Sequence, residues 1–328
     1  MRIAVLYNPL SGFNRRHPGV LAQEAGASQQ MIAFVVRSPG EVQAALAELA
    51  GQSPDLLIIC GGDGTVQAVL SALFVKKPFA HLPPLAVLAA GTTNMIAADA
   101  GLAGNPVKAL RSLLTQASLA DMRCVKRPIL RLQIPGQEDR YGMFLGLAAI
   151  SQGIRYYQNH LHNQGWQGLP GIVLTMARSL AAAIVGRGAR KRLSTSLSLS
   201  SQNRVSKNTP ADKQPEQRVD ALLGLISTHE RLIFGLKPFW SRAADGPLRC
   251  TLVEAQAGGA AWRLPFLALG QAWAARGAQG YLSWNCQSLQ LRLDGPLALD
   301  GELYFSAHVE EPIQVSCGGS LNFVRGLK

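Results

Sequence analysis

The chain has 328 residues, 48% of them hydrophobic and 16% charged, which excludes a disordered protein and allows two domains with cores of their own. Its net charge of +12 is unevenly spread: residues 1–122 hold 8 Lys/Arg against 7 Asp/Glu, and residues 123–328 hold 24 against 13. In charge alone, the basic second part suits an anionic membrane surface or a nucleic acid. No stretch of 18 unbroken apolar residues predicts a membrane span, and residues 1–7 turn polar too soon for a secretion signal. Cys60, Cys124, Cys250, Cys286 and Cys317 form no CxxC pair. They read as reduced, mostly buried thiols of a cytosolic protein.

The first third alternates strands with helices. Residues 3–7 predict a strand, with Asn8-Pro9-Leu10-Ser11-Gly12 as its exit turn. Residues 31–36 predict a second strand, closed by Arg37-Ser38-Pro39-Gly40, and 41–50 have helical spacing and good helix formers. Residues 56–60 are a continuous apolar run of the kind found in buried parallel strands. The turn Gly61-Gly62-Asp63-Gly64-Thr65 follows, and helical spacing resumes over 66–70. A fourth strand over 85–89 ends in Gly91-Thr92-Thr93-Asn94, before helices at 95–100 and 106–119. This order predicts a parallel, doubly wound α/β sheet in a domain of residues 1–122. Turns 8–12, 61–65 and 91–94 then share the edge beyond the strands' carboxyl ends, where such sheets bind ligands.

Beyond Cys124 the period changes to two. Residues 128–134, 194–200, 248–253 and 289–293 alternate, which predicts a mainly antiparallel sheet or sandwich over 123–312. Residues 171–185 predict a helix of about four turns, followed by Arg187, Arg190, Lys191 and Arg192. Either that helix dips into a membrane surface, or it is a core helix with a solvated basic end. The polar stretch 202–217 reads as a mobile loop. His160 and His162 are two apart and do not share a helix face, so no histidine metal site is expected.

The 61–65 turn carries the chemistry. A strand, a glycine turn and a helix start form an anion site, because the helix N-terminus offers unpaired N–H groups and glycine lets a phosphate reach the backbone. Asp63 would repel that phosphate unless it held a metal ion or took a proton from a nucleophile. A plain Gly-Asp-Gly turn is the alternative.

Four landmarks in order, Asn8-Pro9-x-Ser11-Gly12, Gly61–Thr65, Gly91-Thr92-x-Asn94 and Asp300-Gly301-Glu302, resemble the diacylglycerol-kinase catalytic family, which includes soluble bacterial lipid kinases and relatives acting on sphingosine and ceramide. Asp245-Gly246 is a weaker fifth. The glycine loop alone is shared with NAD kinases and phosphofructokinase-like folds; the full set carries the specificity. Where that family often has an acidic and then an aromatic residue after the third turn, this chain has Met95 and Ile96, which leaves the acceptor open.

The resemblance implies that the first domain is nucleotide-binding and that the second is a β-sandwich. It implies an ATP-dependent kinase, with Mg²⁺–ATP in a cleft between the domains and a lipid hydroxyl, diacylglycerol-like, as acceptor. It also implies that the tail 313–328 returns to the first domain. Asn8, Ser11, Ser38, Gly61, Gly62, Asp63, Gly64, Thr65, Gly91, Thr92 and Asn94 are the implied nucleotide contacts. No Lys stands in the glycine loop, so Mg²⁺ must neutralise most of the phosphate charge. Glu302, Asp300 and Asp63 are the catalytic candidates: one of the first two as general base, Asp63 orienting Mg²⁺–ATP. Asp245, with the carbonyls of Arg242 and Pro247, matches a structural Mg²⁺ site. The expected setting is cytoplasmic, peripherally bound to an anionic membrane, with no nucleic-acid partner and a homodimer left open. Kinases of another hydroxyl, including sphingoid lipids and NAD, and a non-catalytic lipid- or nucleotide-binding protein are the alternatives.

Overall fold

A computed structural model describes residues 1–26, 31–115, 118–156, 194–203, 212–213, 217–241 and 246–327. The expected helix at 171–185 with its basic end, His160 and His162 lie outside these. The chain divides into two compact units, Met1–Ile129 with Gly318–Lys328, and Leu130–Cys317.

The first unit is a parallel sheet built from β1 (Ile3–Tyr7), β2 (Met31–Val35), β3 (Leu56–Gly61), β4 (Leu85–Ala89) and the end of a long last strand. Its order is β2-β1-β3-β4, with Phe323 of the last strand beside Leu85. β1 and β3 are buried along their whole length, while β2 alternates as an edge strand does. Six apolar residues in a row at 56–61 can be buried only if both faces are covered. The helices do this: α1 (Gly12–Arg16) and α2 (Val20–Gly26) between β1 and β2, α3 (Pro39–Ala50) between β2 and β3, and α4 (Asp63–Val75) between β3 and β4. α5 (Met95–Asp99) and α6 (Pro106–Leu114) follow. The chain leaves β1 toward β2 on one side and returns to β3 on the other. The strand order therefore reverses between β1 and β3, the crevice where open α/β sheets bind ligands.

Three helical readings needed correction. α1 and α2 were not foreseen, because the break at His17-Pro18-Gly19 leaves each too short for a 3.6-residue period to register. The helix expected over 106–119 stops at Leu114, and a single 3₁₀ turn, Leu119–Asp121, follows. Asp99 and Arg127, both buried in this unit, form an ion pair at 3.4 Å.

The second unit is antiparallel among its described strands. They are β5 (Met122–Gln133, begun in the first unit), β6 (Arg140–Gly142), β7 (Phe144–Ala148), β8 (Thr195–Asn203), β9 (Asp212–Lys213), β10 (Gln217–Ser227), β11 (Leu248–Glu254), β12 (Tyr281–Cys286), β13 (Ser288–Leu293), β14 (Leu297–Leu299), β15 (Glu302–Tyr304) and β16 (Ile313–Leu327), the long last strand. β10 pairs with β8 along 217–221 and with β7 along 223–227, while its register to β11 shifts between Ala221 and Leu223. A bulge of this kind turns a strand from one sheet direction into another. The stretch read as a loop at 202–217 includes the β8–β9 pairing Gln202↔Lys213 and Asn203↔Asp212. Among the described residues two helices, α7 (Ala149–Tyr156) and α8 (Ala260–Ala268), interrupt the strands. Among the described residues no helix is long and apolar enough to cross a membrane.

All five cysteines are free; Cys60, Cys250 and Cys286 are buried and Cys124 is exposed. Burial in β3 pushes the Cys60 thiol up to about 12, which removes its thiolate at neutral pH. Iodoacetamide at pH 8 should therefore label Cys124 in the native protein and spare Cys60, and urea should open Cys60 to reaction. Native-state labelling of Cys60, read by peptide mapping, would contradict the buried strand.

Candidate functional site

The three glycine-bearing turns meet at the carboxyl ends of β1, β3 and β4. A β-carbon on Gly91 would lie 2.4 Å from Gly62 Cα, and one on Gly62 would lie 3.1 Å from Gly91 Cα. A larger residue at Gly91 would force the turns apart and one at Gly62 would crowd them, so turn packing on turn explains both glycines. Asn8 joins the first turn to the second, donating from Nδ2 to Thr65 Oγ1 at 2.8 Å and accepting from Leu10 N at 2.9 Å. Phe13 N donates to Ala90 O at 2.8 Å, and Gly12 lies beside Thr92 and Gly91. Asn94 closes the third turn: its Oδ1 accepts from Gly91 N at 2.7 Å and its Nδ2 donates to Gly91 O at 3.1 Å. It does so from a left-handed backbone (φ 51°), which Asn tolerates better than most residues.

Asp63 opens α4, with Gly62 as an N-cap that brings no capping side chain. Its two carboxylate oxygens accept from Met95 N at 3.1 Å and Ile96 N at 3.0 Å. The side chains of Met95 and Ile96 are buried. Asp63 thus caps α5 and fastens the second turn to the third. Asn8, Asp63 and Asn94 hold the three turns in place through these bonds.

Asn14 was missed. It is 1% exposed, and its Nδ2 is shared among Asn8 O (2.7 Å), Ser11 Oγ (3.0 Å) and Cys60 O (3.1 Å). The only available signal was an amide beside Phe13 in a stretch with too few residues to show periodicity. Ser11 stands at the N-cap of α1, but its hydroxyl donates back to Asn8 O at 2.8 Å. Ser38 caps α3 by accepting from Glu41 N at 3.2 Å.

In the second unit, Asp300 and Gly301 form the two-residue turn between β14 and β15, with φ of 47° and 93°. Two left-handed residues in succession match the twist of a hairpin, and Asp-Gly is a favoured pair for it. The Asp300 side chain is buried and accepts from Met143 N at 3.0 Å and Phe144 N at 2.9 Å, fastening the hairpin to β7. Glu302 is exposed. Arg242 and Asp245 lie outside the described residues; Pro247 is half-buried just before β11.

The start of α4 fits a phosphate, since its first-turn N–H groups have no carbonyl one turn back and a glycine cap leaves them accessible. A carboxylate oxygen such as those of Asp63 can accept more than one partner. Among the described residues no three His, Cys, Asp or Glu side chains converge as a metal cage. A Mg²⁺ bound through nucleotide phosphates needs only one or two carboxylates. A cavity of about 470 Å³ in the first unit lies elsewhere, lined by α5, α6 and Arg325, with no residue of the three turns in its wall.

A parallel α/β sheet with a glycine turn at its switch point is the architecture of a nucleotide-phosphate site. Residues 2–125 match the family model of the diacylglycerol kinase catalytic domain. It is 31% identical to the diacylglycerol kinase of Bacillus subtilis (strain 168) over 139 residues, 42% of this chain and 43% of that one. It is 30% identical to a probable lipid kinase YegS-like of Stenotrophomonas maltophilia (strain K279a) over 118 residues, 36% and 38% of the two chains. The matched stretch thus spans less than half the length of these curated relatives. A crystal structure of a diacylglycerol kinase from Bacillus anthracis str. Sterne has the same fold, with a TM-score of 0.58 at 16% identity over 98% of this chain and 96% of that one.

Asp63→Asn is expected to destabilise the first unit as well as impair the site. One amide end would present N–H to the N–H of Met95 or Ile96, at a cost of about 1–3 kcal/mol for an unsatisfied buried donor. Urea unfolding measures this; an unchanged midpoint and slope would contradict the capping role.

Proposed function

We propose that this protein is an ATP-dependent lipid kinase that transfers the γ-phosphate to a hydroxyl of a diacylglycerol-like lipid at a membrane surface. The observation that carries the reading is the mutual lock of the three turns at the β1/β3 switch point, which presents the uncapped start of α4 to an anion. The match of residues 2–125 to the diacylglycerol kinase catalytic domain supports the same reading.

In this proposal the N–H groups at 62–65 cradle the nucleotide phosphates, and Asp63 both holds α5 and faces the metal. Bound Mg²⁺ would neutralise charge on the phosphates. The acceptor hydroxyl must lose its proton as its oxygen bonds the γ-phosphorus and ADP departs. Of the two carboxylates in the β14–β15 turn, Asp300 has both oxygens engaged by backbone N–H groups of Met143 and Phe144. Exposed Glu302 is the one left to accept that proton. Asp300 acts as a positioning residue, setting the turn that carries Glu302.

Transfer of labelled phosphate from ATP, assayed over diacylglycerol, phosphatidylglycerol, sphingosine, ceramide and NAD, should favour diacylglycerol. No transfer to any lipid, or transfer to NAD alone, would overturn the proposal. Glu302→Ala should lower kcat by at least about 10²-fold, the low end for a general base, with unfolding unchanged. Asp300→Ala should lower stability by about 1–3 kcal/mol, because two N–H groups lose their acceptor. Wild-type turnover in Glu302→Ala would contradict the assignment.

A further inference from the structure

An insoluble acceptor requires a surface that meets the bilayer, and the second unit carries one that no phosphate-site residue explains. Phe234, Trp262, Phe266, Leu269 and Trp273 are among the large hydrophobic side chains that stand exposed, from 41% for Phe266 to 68% for Phe234. They belong to one assembly. Trp262, Phe266 and Leu269 follow helical spacing of four and three, so they line one side of α8. The opposite side is buried: Ala260 and Leu267 are covered, and Leu264 packs with Val253, Ala257 and Tyr281. α8 is therefore apolar on both faces, and only one face has a partner within the described residues.

The neighbouring loops are fastened to this helix. The Trp273 ring, in the 3₁₀ turn Ala272–Ala275, lies 4.9 Å from that of Phe266. Arg263 donates to Ala274 O, and its guanidinium stacks 4.2 Å over the Trp262 ring. Lys237 N donates to Ala268 O at 2.8 Å, tying the 232–237 loop to the end of α8. At that loop's tip Phe234 has φ 57° and ψ 20°, a left-handed backbone that disfavours bulky residues. The turn is closed by Leu232 N to Leu236 O and Gly235 N to Leu232 O, and it holds the phenyl ring in solvent.

The segments that form the patch carry cations. From residue 255 to residue 293 the chain has no Asp or Glu, and Arg263 and Arg276 fall within the patch; Arg231 and Lys237 flank it from the other loop. Glu230 and Glu254 mark its limits. Tryptophan and phenylalanine beside Lys and Arg suit the headgroup layer, where rings lie at the acyl boundary and cations meet anionic phosphates. A second copy of this chain would instead bring the same cations together with no acidic counterpart.

We infer that the exposed face of α8, with the 232–237 loop and Trp273, docks the protein on an anionic phospholipid bilayer. This deepens the lipid-kinase reading and rests on it. The aromatic side chains insert and Arg231, Lys237 and Arg276 supply the salt-dependent attraction.

The test is co-sedimentation of the full chain with vesicles of phosphatidylcholine alone or of phosphatidylcholine with phosphatidylglycerol, at low and high salt. The wild type should bind the anionic vesicles, and binding should weaken with salt as Debye screening requires. The triple variant Trp262→Ala/Phe266→Ala/Trp273→Ala should lose binding by at least about tenfold while circular dichroism shows the fold retained, its thermal unfolding falling only by the lost Phe266–Trp273 and Arg263–Trp262 contacts. Lys237→Glu/Arg276→Glu should weaken binding to anionic vesicles and leave residual binding to neutral ones unaltered. Wild-type binding that survives the triple variant overturns the surface assignment and leaves the kinase reading standing. A wild-type dimer, measured by light scattering, that the triple variant dissolves also overturns it, by making the patch a self-interface. Absence of wild-type binding overturns it as well. Phosphate transfer to diacylglycerol in detergent micelles scores the kinase reading separately, because micelles need no docking face.

Discussion

The backbones of Gly62 and Gly91 lie against each other with no room for a β-carbon between them. Through that contact the turn after β3 and the turn after β4 become one rigid piece, and Asn8 with its bond to Thr65 adds the turn after β1. A side chain at either glycine would push the turns apart, and the cap that Asp63 provides to Met95 and Ile96 would be lost with them. In the proposed kinase the value of the arrangement would be preorganisation: donors aimed at an anion would need no reordering when it arrives, which is where much catalytic power in phosphoryl transfer comes from.

Each carboxylate assigned to chemistry has a structural bond pattern that separates its role from its neighbour's. Asp63 and Asp300 both hold pairs of backbone N–H groups, one across two turns and the other across a hairpin and β7. A carboxylate so engaged is a poor proton acceptor, because protonation would break bonds that the fold uses. Glu302, two residues from Asp300, is exposed. Placing a tied acid beside an exposed one lets the first set the geometry of the second.

Much of the first unit was legible because its signals are local. A run such as Leu56–Gly61 can be only a strand covered on both faces, and the glycine turns punctuate the strand ends. The short helices at Gly12–Arg16 and Val20–Gly26 were not legible, since five to seven residues cannot display a helical period. At the candidate site, residue types pointed to three turns that the fold brings together, but the partners of Asn8 and Asp63 are set by long-range contacts that sequence does not encode visibly. Asn14 stayed hidden for the same reason: its importance lies in three acceptors brought together by folding. α8 escaped because its two apolar faces blur the amphipathic signal by which helices are usually recognised.

The most direct measurement is a crystal structure with Mg²⁺ and a non-hydrolysable ATP analogue. The account requires the β- and γ-phosphates to lie against the N–H groups of residues 62–65, with Gly62 and Gly91 still in contact. Phosphates bound instead in the cavity beside Lys108 and Arg325, with the 61–65 turn untouched, would contradict it.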